Sequence, residues 1–72
     1  MTSLPPSYDY ALDLRETRRA LGLTQEQMAG YLGISSNTVA RRERGEFGKG
    51  LNLQECRLAL IGLRAILKPA GR

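Results

Sequence analysis

The chain has 72 residues, of which 42% are apolar, and a formal net charge of +4. This length predicts one domain with a modest core, and the positive charge suits a polyanionic partner without specifying one. The absence of histidine and the single cysteine, Cys56, exclude a zinc site, an internal disulfide and a histidine general base. The N-terminus lacks the pattern of a signal peptide, and no apolar run is long enough to span a membrane. A cytoplasmic protein without membrane attachment is therefore expected.

The first nine residues, 1–9, predict a flexible N-terminal arm, because Pro5 and Pro6 lack backbone donors and hold the preceding residues extended. Two interpretations of this segment are open. The arm could touch DNA or a partner chain, or Tyr8 and Tyr10 could cover the edge of the core. The absence of Lys and Arg from the arm favours the second interpretation.

The first predicted helix covers about 10–21. Asp9 can accept a free backbone N–H at its start, and Gly22 follows its end, where a left-handed residue is common. Leu14 and Leu21 lie on one face at helical spacing. This segment is therefore expected to pack one apolar face against the rest of the domain.

The stretch 23–45 reads LTQEQMAGYLGISSNTVARRERG and predicts two short helices joined by a tight turn. Thr24 can cap the first helix and Ser35 the second, while Gly33 and Gly45 stand where a helix ends in a left-handed residue. The apolar residues at the spacing that would pack these helices together are Met28, Ala29, Leu32, Ile34 and Val39.

A fourth helix is predicted over 53–67, after Asn52 as N-cap, and a short tail of residues 68–72 follows it. Ten of its fifteen residues are Leu, Ile, Ala or Cys, and a helix that is apolar on most sides is buried on most sides. A body of three short helices cannot cover it, so a second copy of the chain is expected there. The alternative is a helix that lies deeper in the monomer, with 1–10 covering its back. The predicted dimer interface consists of Leu53, Cys56, Leu60, Leu63, Ile66 and Leu67.

The segments LGLTQEQMA, LGIS and ERGE occur together at a spacing that resembles the Cro/cI-type (XRE) family of helix-turn-helix transcriptional regulators. The resemblance covers roughly 14–67. It implies an all-α fold: a compact, lambda-repressor-like DNA-binding domain of four helices over 10–67, with the C-terminal helix 53–67 for dimerisation and no cofactor. Family members commonly have a fifth helix, which adds to the expectation of a dimer here.

The second helix of the motif can read base edges because the major groove admits an α-helix. Asn37 has the two-point geometry for adenine and Arg41 the geometry for guanine, and the two residues are one turn apart. The hydroxyl of Ser36 could donate to a base or to a phosphate, and the resemblance adds Ser36 to the base-contacting positions. The resemblance also implies contacts to DNA phosphates at Gln25, where the helix N-terminus favours an anion, and at Arg44. The further predicted phosphate contacts are Thr38, Arg42 and Lys49.

Two of these positions have a second interpretation. Thr38 could hold the start of its helix instead of a phosphate. Arg42 replaces a residue that is apolar or tryptophan in the family, so the local packing could differ. Arg18 is expected to form a partly buried structural ion pair with Glu43, as family members do, rather than to contact DNA.

The sequence as a whole predicts a DNA-binding transcriptional regulator, a repressor that binds an inverted-repeat operator in double-stranded DNA as a homodimer. The alternative is an antitoxin that also regulates its own operon. A protein-interaction module without DNA binding is disfavoured by Asn37, Arg41 and Arg44. No pattern in the sequence supports catalysis, a metal site or a small-molecule ligand.

Overall fold

The computed structural model describes residues 4–67, so three residues of the predicted arm and the tail 68–72 lie outside the described range. Within that range the chain forms four helices and no strand, which confirms the predicted all-α fold. The helices are α1 (Tyr10–Ala20), α2 (Gln25–Leu32), α3 (Ser36–Glu43) and α4 (Leu53–Ile66).

A side-chain oxygen caps the N-terminus of each helix and accepts a backbone N–H that the helix itself cannot satisfy. In the most complete cap, the Gln27 N–H donates to the Thr24 hydroxyl at 3.0 Å, and the Thr24 N–H donates to the Gln27 side chain at 2.9 Å. A cap of this kind stabilises a helix by about 1 kcal/mol. The four N-caps are those predicted: Asp9, Thr24, Ser35 and Asn52.

The turn between α2 and α3 depends on Gly33, whose φ of 71° lies in the left-handed region. After it, the Ile34 N–H donates to the Ala29 carbonyl at 3.1 Å, which closes the end of α2. A residue with a β-carbon would be strained at this φ. The turn sets the angle between the two helices of the motif.

The core is built from one face of each helix. The largest fully buried apolar side chains are Leu14 on α1, Met28 on α2, Val39 on α3 and Leu60 on α4. Helix α1 packs against both α3 and α4, while α2 packs mainly against α3. The pair α2 and α3 therefore packs against α1 mainly through α3, and α4 packs against α1 as well.

One side of α4 carries Leu53, Leu60 and Leu63, with Leu67 just after the helix, and we call these four residues the leucine stripe. It faces the core of its own chain. Leu60 and Leu63 are 1% and 8% exposed, and the partly buried residues Leu53, Cys56 and Leu67 pack against the same core. The prediction that Leu60 and Leu63 form a dimer interface is therefore wrong. Their spacing places them on one face of the helix, and α4 turns that face toward α1.

A second apolar surface of α4 is left exposed. Its exposed apolar residues include Leu58, Ile61 and Ile66, with exposed fractions of 58%, 47% and 76%. Of the six residues predicted for an interface, only Ile66 belongs to this surface. We refer to Leu58, Ile61 and Ile66 together as the outer face of α4.

Tyr8 and Tyr10, at the start of α1, pack against the helices. Tyr10 is buried in the core, and the Tyr8 hydroxyl donates to Asp13 Oδ2 at 2.6 Å. The Arg57 guanidinium lies 5.5 Å from the centre of the Tyr8 ring. Burial and the hydrogen bond to Asp13 raise the pKa of the Tyr8 hydroxyl. Of the two interpretations of the N-terminal segment, the contacts support the one in which the tyrosines cover the core.

The burial of Leu60 predicts a large loss of stability on truncation. We expect Leu60→Ala to lower the free energy of unfolding by about 2–5 kcal/mol, because it leaves a cavity in the core. Leu12→Ala removes the same atoms from a side chain that is 40% exposed, and should cost far less. Urea denaturation of both variants measures the difference. Equal losses would contradict this placement of α4.

Candidate nucleic-acid interface

Helix α3 has one buried side and one exposed side. Val39 is fully buried and Glu43 is 8% exposed, whereas Asn37 and Arg41 are exposed and Ser36 is half-buried. Asn37 and Arg41 are four residues apart, so they lie on the same side of the helix. The exposed side thus carries polar side chains that can form hydrogen bonds, and the helix fixes the spacing between them.

The hydroxyl groups at the start of α3 hydrogen-bond to each other and to the backbone. The Thr38 N–H donates to the Ser35 hydroxyl at 3.1 Å, and the two hydroxyl oxygens are 2.8 Å apart. Of the two interpretations of Thr38, these contacts support the one in which it holds the start of the helix. A phosphate would have to share the Thr38 hydroxyl with Ser35.

A partly buried ion pair connects α1 to α3. Arg18 Nε lies 2.6 Å from Glu43 Oε2 and Arg18 Nη2 lies 3.1 Å from Glu43 Oε1, which is a two-point contact. The side chains of Arg18 and Glu43 are 15% and 6% exposed. Arg18 Nη1 also donates to the Leu23 carbonyl at 3.0 Å, just before α2. Arg18 therefore links α1 to α3 and to the residues just before α2, which is the structural role that the resemblance implies.

Gln25, the first residue of α2, also contacts Glu43. Its side-chain amide nitrogen donates to Glu43 Oε1 at 3.3 Å. This contact sets the position of a side chain that is expected to meet a phosphate at the N-terminus of α2. The ion pair thereby orients a residue of the candidate interface.

The electrostatics of Glu43 follow from these contacts. Burial alone raises the pKa of its carboxyl group, but the hydrogen bonds from Arg18 and Gln25 and the positive charges of Arg18 and Arg15 together outweigh that effect. The net result is a pKa below the ordinary value of a glutamate. Glu43 therefore stays ionised in the folded protein at neutral pH.

Arg42 has a side-chain partner on α1. Its Nη1 donates to the Tyr10 hydroxyl at 3.4 Å, and it lines a groove with Leu51 and Cys56. The predicted phosphate contact at Arg42 is not supported by this placement, because the half-buried side chain contacts α1 instead of standing free. The contact with Tyr10 fits the alternative in which the local packing differs.

The sequence interpretation missed Glu46. Its Oε2 lies 3.1 Å from Arg44 Nε, and its Oε1 lies 3.5 Å from Arg41 Nε. The hydrogen bond from Arg44 and the charges of both arginines hold the pKa of the Glu46 carboxyl below its usual value. The signal that could have found this contact is Gly45, because a glycine at a helix end returns the next residue toward the last turn.

A groove extends from α3 to the loop that follows it. The groove is lined by Thr38, Arg41, Arg42, Glu46 and Gly48. Lys49 is exposed in the same loop.

Over residues 4–67, no group of three or more Cys, Asp or Glu side chains is placed to hold a metal ion. Among the same residues, none of the helices has both the length and the apolar character that a membrane span requires.

The comparisons with known proteins agree on the family. A family model described as "Helix-turn-helix" matches residues 14–58, which is more than half of the chain. The chain is also 40% identical over 40 residues to an "Uncharacterized HTH-type transcriptional regulator" of Methanothermobacter thermautotrophicus. That match covers 56% of this chain and 58% of the relative, so the chain spans little more than half of the relative's length. No solved structure gives a significant match.

The lowered pKa of Glu43 predicts how stability depends on pH. A carboxyl group whose pKa is lower in the folded than in the unfolded protein stabilises the fold above the unfolded value, about 4.3. That stabilisation is lost as the pH falls through the folded value. We expect Glu43→Gln to lower the free energy of unfolding by about 3 kcal/mol at pH 7 and to flatten its decline between about pH 5 and pH 3.

Urea denaturation at several pH values measures this effect. Glu16→Gln, at an exposed position of α1, is the matched control and should leave the pH dependence nearly unchanged. A Glu43→Gln protein with the same acid-induced decline as the unsubstituted protein would show that the pair does not couple stability to pH.

Proposed function

Because the chain belongs to the Cro/cI-type (XRE) helix-turn-helix family, we propose that it is a sequence-specific DNA-binding transcriptional regulator. The observation that carries this proposal is the two-sided character of α3. Val39 and Glu43 hold one side of the helix in the fold, while Asn37 and Arg41 stand exposed on another. An exposed helix with these side chains one turn apart suits entry into a major groove.

The proposed base contacts come from the first two turns of α3. Asn37 would pair with the N6 and N7 edge of adenine, and Arg41 with O6 and N7 of guanine. Ser36, half-buried at the start of the helix, would make one further hydrogen bond. These three residues are those that the sequence predicts.

The proposed phosphate contacts surround the helix on both sides. Gln25 stands at the N-terminus of α2, where backbone N–H groups and the helix dipole favour an anion. Arg44 and Lys49 are exposed beyond the end of α3. Arg42 is left out because of its contact with Tyr10, and Thr38 would contribute only a shared hydroxyl.

We further propose that the protein acts as a homodimer that meets through the outer face of α4. Three large apolar side chains on one short helix favour contact with another apolar surface, and a twofold axis supplies an identical one. Two copies would read an inverted repeat whose half-site centres are about 34 Å apart or a multiple of that distance. Occupation of such an operator would block transcription, so repression is the proposed effect.

The base-reading role of Arg41 can be separated from the phosphate role of Arg44. We expect Arg41→Ala to cost about 1–3 kcal/mol on a site selected from random duplexes, and to relax the preference at one base pair. Arg44→Ala removes the same charge but should weaken binding to selected and random DNA alike. Fluorescence anisotropy titrations of both variants on both duplexes provide the measurement. Equal losses from Arg41→Ala on the two duplexes would sink its base-reading role.

The outer face of α4 predicts the effect of a charge on assembly. We expect Ile61→Glu to remain folded and to sediment as a monomer, because a carboxylate would be buried in the apolar contact. Leu12→Glu is the matched control, since Leu12 is 40% exposed and Ile61 is 47% exposed. It should leave the dimer intact. Sedimentation velocity that finds the unsubstituted protein monomeric at high micromolar concentration would rule out this dimer.

A further inference from the structure

One carboxylate lies between the two exposed arginines at the end of α3. Glu46 contacts Arg44 through one carboxylate oxygen at 3.1 Å and Arg41 through the other at 3.5 Å. All three side chains are more than half exposed. The two arginines are the residues proposed above to read a base and to bind a phosphate. Glu46 therefore bridges the two kinds of DNA contact.

The backbone holds Glu46 in this position. The Glu46 N–H donates to the Arg41 carbonyl at 2.9 Å, and the Gly45 N–H donates to the Arg42 carbonyl at 3.0 Å. Gly45 has a φ of 82°, in the left-handed region that such a helix end requires. Because the turn is closed by these bonds, the carboxylate starts from a backbone position that is fixed relative to α3.

We propose that Glu46 is a specificity-determining residue. It holds Arg41 and Arg44 in an internal ion pair and thereby lowers the affinity for random DNA more than the affinity for the cognate site. This inference rests on the proposed function, because it presupposes that α3 binds DNA.

The reason for the unequal effect is the kind of acceptor that each DNA offers. On random DNA the two arginines meet mainly phosphates, so each of them exchanges one anionic partner for another. The displaced Glu46 carboxylate is then left close to the phosphate backbone, where like charges repel. The gain in free energy from releasing counterions is reduced accordingly.

On the cognate site Arg41 meets the O6 and N7 acceptors of guanine, which the carboxylate does not replace. Arg41 contacts Glu46 through Nε, and the two terminal nitrogens of a guanidinium can make the parallel pair of hydrogen bonds to guanine. Arg41 can then keep Glu46 as a neighbour while it reads the base. The ion pair therefore lowers the affinity for random DNA more than it lowers the affinity for the cognate site.

The test compares Glu46→Gln with the unsubstituted protein on a selected site and on random duplexes over a range of salt concentrations. Glutamine keeps the size of the side chain and removes its charge. We expect the affinity for random DNA to rise roughly threefold to tenfold and its salt dependence to steepen by about one unit of slope. The affinity for the selected site should rise less than about twofold, so the ratio of the two affinities falls.

Glu16→Gln is the control, because it makes the same change in net charge at an exposed position of α1. It should leave the ratio of affinities unchanged. A Glu46→Gln protein with an unchanged ratio, or with weaker binding to both duplexes, would overturn the inference. An unsubstituted protein that binds no duplex would overturn the proposed function and this inference together.

A second measurement examines the ion pair without DNA. Nitrogen-detected magnetic resonance of the arginine Nε–H groups should show the Arg44 and Arg41 signals shifting in Glu46→Gln, while the signal of Arg18, which pairs with Glu43, stays in place. Unchanged Arg41 and Arg44 signals would overturn the inference whatever the DNA titrations show.

Discussion

The ion pair between Arg18 and Glu43 is the contact on which the arrangement of the motif depends. It connects α1 to α3 through two hydrogen bonds, reaches the start of α2 through the Leu23 carbonyl and orients Gln25 through Glu43. A core of this size has few apolar side chains with which to fix three helices. A directional, largely buried pair adds a fixed geometry that apolar contacts alone do not supply, and it is destabilising when broken from one side.

Two glutamates at the end of α3 hold arginines in different ways. Glu43 is buried and pairs with Arg18, which positions the helix. Glu46, three residues later, is exposed and lies between Arg41 and Arg44. The first pair is protected from water and contributes to the fold, whereas the second is solvated, weak and open to exchange with another anion. The same chemistry therefore serves stability inside the domain and, as we propose, selectivity at its surface.

Helix α4 has more apolar surface than the domain can cover. Its leucine stripe completes the core around Leu14, and the outer face of α4 stays exposed. A short chain gains stability by giving one face to its own core, and the remaining face is available to a second copy. In the proposed dimer this face would set the distance between two recognition helices, so the spacing of the operator would depend on residues that never touch DNA.

The local features of the fold were predictable from the sequence, because a cap or a left-handed glycine acts within a few residues. Asp9, Thr24, Ser35 and Asn52 mark the starts of the four helices, and a glycine follows each of the first three. The pairing of Arg18 with Glu43 followed from the family resemblance. The tertiary structure decided what each exposed or amphipathic face contacts. Heptad spacing shows that Leu60 and Leu63 share a face, but only the packing of α1 against α4 shows that this face is internal. The partners of Arg42 and Glu46 likewise depend on how α1 and the closing turn of α3 bring distant atoms together, which no local pattern records.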